Sequence, residues 1–265
     1  VKYILFLLLS SIFFSCDNIQ NQGQGETSQA KPVSESQKIV DKAREVHGSA
    51  LVAQADITFN FRERAYKSLR DGGAFQYERI FNDSVDNKVR DILNNDGFIR
   101  EVNAEKVTLL QEKEKAYANS VNSVLYFALL PYNLNDEAVN KKYLGTGTIK
   151  GENYHKIKIT FGRENGGKDF EDEFVYFFHT EKNTMDYLAY NYLTDGGGAR
   201  FREAYNQREI SGILFSDFIN YGPVDESRRD VENFDKLFEE GQLKELSRID
   251  SEDVKVVLKS TDKSM

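Results

Sequence analysis

Four polar residues, Asp172, Asn191, Arg200 and Arg202, stand in segments of alternating polarity that also carry an aromatic row, Phe174, Tyr176, Phe178 and Tyr187. A guanidinium fork donates paired hydrogen bonds to a carboxylate or phosphate. An aromatic row offers a surface on which methylenes are buried. Together these residue types have the chemistry for holding an amphipathic anion, its head group on the arginines and its apolar chain on the rings. The same residues also fit an ion-paired sheet end, with Asp172 satisfying Arg202 above a filled core. The sequence leaves both readings open.

Other chemistries find less support. His47, His155 and His179 have no second histidine at metal-ligand spacing, and the acidic residues between 169 and 173 lack the spacing of a calcium loop, so neither a metal nor a cofactor is expected. There is no nucleophile elbow, P-loop or dinucleotide fingerprint; Gly145-Thr146-Gly147 and Gly196-Gly197-Gly198 lack the flanking context. A hydrolase site built from distant carboxylates is the third reading, behind ligand binding and a structural or partner-binding role.

The elements that must position these residues form one antiparallel meander over 154–208, four alternating segments joined by three polar turns, two of them glycine-bearing. Folding about 162–169 sets Ile157 opposite Phe174, His155 opposite Tyr176 and Lys158 opposite Glu173. Folding about 179–184 sets Phe178 opposite Met185 and Tyr176 opposite Tyr187. The triple glycine then sets Asn191 opposite Arg202 and Leu193 opposite Arg200, which brings Asp172, Asn191 and Arg202 side by side.

Around the meander, helical spacing predicts a helix over 36–47 and another over 113–129, the second ended by Pro131. Alternation predicts strands at 57–66, 74–81, 89–93, 98–102, 143–150, 210–221 and 254–258, with a hairpin turn at Asn94-Asn95-Asp96-Gly97. An amphipathic pattern over 231–246, interrupted at Gly241, predicts a C-terminal helix. The chain of 265 residues, 40% hydrophobic and 12% aromatic with only three prolines, is large enough for one β-rich domain over 38–265. A net charge of −8 excludes general nucleic-acid binding, and a single cysteine excludes an internal disulfide framework.

Residues 1–15 combine Lys2, an apolar run from Tyr3 to Phe14 and Ser15 ahead of Cys16, the pattern of an export signal too short to span a membrane. Phe13-Phe14-Ser15-Cys16 resembles a bacterial lipobox, although Phe13 stands where that pattern prefers an aliphatic residue. The resemblance implies lipid attachment at Cys16 and a membrane anchor. Residues 16–37, rich in Asn, Gln, Gly and Ser, then read as a flexible tether.

A helix, a run of hairpins, a helical insertion and further hairpins behind a lipobox resemble the half-barrel of bacterial lipoprotein-sorting carriers of the LolA/LolB kind. The segments Tyr187-Leu188-Ala189-Tyr190, Arg200-Phe201-Arg202-Glu203-Ala204 and Phe218-Ile219-Asn220-Tyr221 are also similar to envelope lipoproteins of Bacteroidota. These resemblances imply an α+β fold, mainly β, in which a strongly curved antiparallel sheet wraps one or more helices. They imply a protein exported to the envelope, with the outer membrane as expected destination, and a lipid or other hydrophobic molecule as ligand.

Overall fold

The computed structural model describes residues 33–71, 73–162, 172–193 and 196–259. The expected export signal, Cys16 and most of the expected tether lie outside them, as does most of the first expected meander turn. The described chain is mainly β, as expected, and its strands form two seven-stranded antiparallel sheets in an open half-barrel.

Sheet A runs β14-β1-β2-β3-β4-β5-β6. Its strands are β1 (Ala55–Phe61), β2 (Arg64–Asp71), β3 (Ala74–Asn82), β4 (Lys88–Asn94), β5 (Gly97–Val102), β6 (Glu105–Val107) and β14 (Glu252–Leu258). The strand expected at 57–66 divides into β1 and β2 because Arg62 and Glu63 both take positive φ, 48° and 60°, the geometry of a two-residue hairpin turn. The hairpin expected at Asn94-Asn95-Asp96-Gly97 forms, with Asn94 opposite Gly97 and Leu93 opposite Phe98.

Sheet B runs β13-β12-β11-β10-β9-β8-β7. It comprises β7 (Val139–Ile149), β8 (Glu152–Phe161), β9 (Phe174–His179), β10 (Met185–Tyr192), β11 (Gly198–Ile210), β12 (Ile213–Pro223) and β13 (Leu243–Ile249). The C-terminal helix is shorter than expected. Only α4 (Phe234–Glu239) is helical after a 3-10 turn; Gly241, at φ +67°, ends it, and the residues to Leu246 enter β13.

Helix α1 (Glu35–Val46) starts two residues before the expected tether ends, capped by Ser34 accepting from the Gln37 amide. Short α2 (Ser49–Val52) follows. Ile39, Val40 and Ala43 of α1 pack on the inner face of sheet B with Ile157, Ile159, Tyr176 and Leu188. Helix α3 (Gln111–Ala128) places Val121 and Leu125 on sheet A against Ile57, Tyr66 and Tyr77. Behind sheet B, Val231, Phe234 and Leu237 cover Val175, Phe177, Tyr187 and Phe201. Sheet B is therefore buried on both faces, and all six residues of β9 are buried.

Candidate ligand-binding site

Helix α3 has a second face. Asn119, Asn122, Ser123 and Tyr126 recur at i, i+3, i+4 and i+7, away from the Val121 and Leu125 stripe, and they border a cavity of about 420 Å³ between the helix and both sheets. One end is aromatic: Tyr126, Phe127, Phe161 and Phe174. The rings of Phe161 and Phe174 meet edge to face with centroids 5.7 Å apart. Tyr126 Oη and Tyr176 Oη share a 3.2 Å hydrogen bond, and burial pushes the Tyr126 phenol up to about 12.

The other end is polar, built from Arg70, Tyr77, Tyr132 and Asp136. Arg70 donates to Tyr77 Oη and, at 3.4 Å, to Tyr132 Oη, with its guanidinium 4.6 Å from the Tyr132 ring centre. Burial raises the Tyr77 pKa against the pull of Arg70, so the phenol stays protonated at neutral pH. Because each phenol accepts from Arg70, its own O–H remains available to a ligand.

A second, apolar cavity of about 90 Å³ lies beyond Phe127 and Ser123, which border both spaces; Phe59, Phe61, Phe218 and Ile249 are among its walls, and Arg202 reaches it. Arg202 is only 9% exposed. Its guanidinium carbon stands 4.0 Å over the Phe127 ring, and Nη2 donates to Tyr190 Oη at 3.0 Å.

The structure rearranges the expected site. In the first hairpin Ile157 faces Tyr176 and His155 faces Phe178, a shift of two residues that preserves both faces. Lys158 still reaches Glu173, at 2.7 Å. In the second hairpin Phe178 faces Met185 as expected, and then the register shifts between Met185 and Tyr187, setting Tyr187 opposite Phe177 and Leu188 opposite Tyr176. Tyr187 therefore points into the layer covered by α4, not onto the row of Phe174, Tyr176 and Phe178.

The third hairpin pairs Leu188 with Arg202, Tyr190 with Arg200 and Asn191 with Ala199, three residues from the expected register. Arg202 and Asn191 consequently occupy opposite faces. Asn191 accepts from the Glu173 amide at 2.8 Å and donates to the Arg229 carbonyl at 3.3 Å. Asp172 is buried and engaged, but it lies four residues along β9 from Tyr176, whose neighbour Leu188 pairs with Arg202. That offset is about 13 Å, so the two are not side by side. Arg200 lies over the Tyr192 ring at 5.2 Å, in a separate hollow with Arg229 and Lys244. Of the expected apolar lining only Phe174 borders the 420 Å³ cavity; Tyr176 and Phe178 are packed solid at 0% and 1% exposure. Arg70, Tyr77, Tyr132, Phe127 and Phe161 were not foreseen. The signal available for them was the polar row on α3, a helix otherwise expected to lie on a sheet.

A protein-family model described as a family of unknown function (DUF6503) matches residues 2–251. The chain belongs to this family. No curated protein matches this DUF6503 chain. Among solved structures it is similar to a LolA superfamily protein from Nitrosomonas europaea, with 11% identity, a TM-score of 0.47, and coverage of 86% of this chain and 95% of that one. It is likewise similar to a DUF1329 family protein from Desulfovibrio piger, with 12% identity, a TM-score of 0.47, and coverage of 87% and 96%. No helix among the described residues is long and apolar enough to cross a membrane.

Proposed function

We propose that this protein is an exported, lipid-anchored binding protein of the cell envelope that holds a hydrophobic or amphipathic molecule beneath α3. The observation that carries this reading is the cavity of about 420 Å³, aromatic at one end and rimmed by Arg70, Tyr77 and Tyr132 at the other. Its size falls in the range of small-molecule sites, and burying each ligand methylene there contributes about 0.8 kcal/mol. Phe174 and Arg202 are the expected site residues that border the two cavities. Lipid attachment at Cys16 supplies the membrane contact in this reading, through acyl chains rather than through the acidic body of the protein.

A structural or partner-binding role is the second reading, favoured by the solid packing of Tyr176, Phe178 and Met185, each at most 1% exposed. Native mass spectrometry of the chain lacking residues 1–16, purified from a bacterial envelope, separates the two. Stoichiometric lipid that is released by organic solvent is the expected result. A ligand-free protein that also fails to take up added lipid would refute the binding reading. Membrane partition of the full chain beside a Cys16→Ala variant tests the anchor, which predicts release of the variant.

A further inference from the structure

A charged side chain, Arg202, borders the 90 Å³ cavity. Arg202 is nine-tenths buried, its Nε has no hydrogen-bond partner, and no carboxylate lies within ion-pair distance of it among the described residues. Contacts with the faces of Phe127, at 4.0 Å, and Tyr190, at 5.2 Å, offset part of the desolvation cost. With Nη2 donating to Tyr190 Oη, the Nε donor is left unsatisfied and available to an anion. Arg70 at the larger cavity also has an unpartnered Nε, but two phenols receive its Nη groups and Asp136 borders the same space.

The surroundings select the anion. Ser123, Ser216 and Ser251 are the hydroxyl residues bordering an otherwise apolar space. Its volume, about 90 Å³, is roughly a fifth of that of the larger cavity. So small a space favours the smaller anionic head, a carboxylate, over a substituted phosphate. Ser123 and Phe127 border both spaces, so a chain passing them leads toward Phe161 and Phe174.

We infer that the ligand is a long-chain aliphatic carboxylate whose head is held by Arg202 in the small cavity and whose chain runs past Phe127 into the large one. This rests on the binding reading above and names the ligand class. Phe127 is the partition that must turn aside, and its contacts to Arg202, Tyr190 and Phe174 place it between head and tail.

The test is isothermal titration of the delipidated protein with dodecanoate, dodecanol and dodecyl phosphate above neutral pH, repeated with Arg202→Met and Arg202→Lys. The expected result is dodecanoate binding at least about tenfold tighter than dodecanol in the natural protein. That preference is lost in Arg202→Met and reduced in Arg202→Lys, which keeps the charge without the fork. Equal binding of acid and alcohol would overturn the role of Arg202 while leaving the cavity reading intact. Tighter binding of dodecyl phosphate would overturn the carboxylate assignment. Binding of none of the three would refute both. If Arg202→Met fails to fold, the comparison within the natural protein decides the matter alone.

Discussion

His47→Gln should remove a pH dependence that the natural protein carries between neutrality and mild acid. His47 ends α1 only 3% exposed, and its Nε2 accepts from the Met185 amide at 3.0 Å. Burial lowers its pKa from 6.5 to about 4, against the opposing effects of Asp186 and of the hydrogen bond at Leu214. The native state therefore disfavours the proton, which would also occupy the nitrogen that receives the Met185 amide. Because the folded pKa lies below the unfolded one, the contribution is complete above about pH 6.5 and is lost as pH falls toward 4. Between those values the unfolded chain holds up to one more proton, a slope of about 1.4 kcal/mol per pH unit and a total of about 3 kcal/mol. Urea unfolding followed by circular dichroism, from neutral pH down to about 5, reads this directly. The constant cost of the substitution cancels when slopes are compared, as do carboxylates common to both proteins. Parallel loss of stability in the natural protein and His47→Gln over this range would refute the argument.

Three further variants probe other parts of the fold. Asp91, at 0% exposure, holds Arg79 Nη2 and Arg100 Nε, each at 2.6 Å; Asp91→Asn should cost about 3–5 kcal/mol in urea unfolding. The same variant should speed amide exchange in the N-terminal half of α3, because Arg79 reaches Ser120 and Arg100 stacks on Tyr117. Gly48→Ala should lower stability by about 2 kcal/mol or more, since Gly48 has φ +67° and its added Cβ would fall 2.0 Å from the Gly212 carbonyl oxygen. Ser123→Phe, on the wall common to both cavities, should abolish co-purifying lipid in native mass spectra while leaving the unfolding free energy within about 1 kcal/mol of the original.

Alternation was enough to find the strands of the meander, because each residue type reports its own burial. Pairing registers were harder. The first hairpin erred by two residues and kept its faces; the second erred by one after Met185 and exchanged them. Nothing in the letters around Asp186 marks that irregularity. Its supports come from distant segments: His47 accepts the Met185 amide, and Tyr154 and Gln207 donate to the Asp186 carboxylate. The third hairpin erred by an odd number again, which returned Arg202 to the face of Tyr176 and left Asn191 on the other. Arg202 was expected to bind an anion within a constellation that does not form, and it borders the small cavity instead. The cavity itself was not legible, since it depends on α3 standing off one sheet while it packs on the other.

The irregularity at Asp186 makes β10 the keeper of parity for half of sheet B. Every strand after it inherits, through odd and even pairing, the choice of which side chains look inward. Loss of this one residue would turn Leu188 and Tyr190 outward, and with them Arg202 would pass from the cavity to the layer under α4. A second one-residue change between β10 and β11 would restore β11 and leave only β10 inverted. Changes of chain length in this region should therefore survive in compensating pairs, and the ligand site should tolerate two such errors better than one.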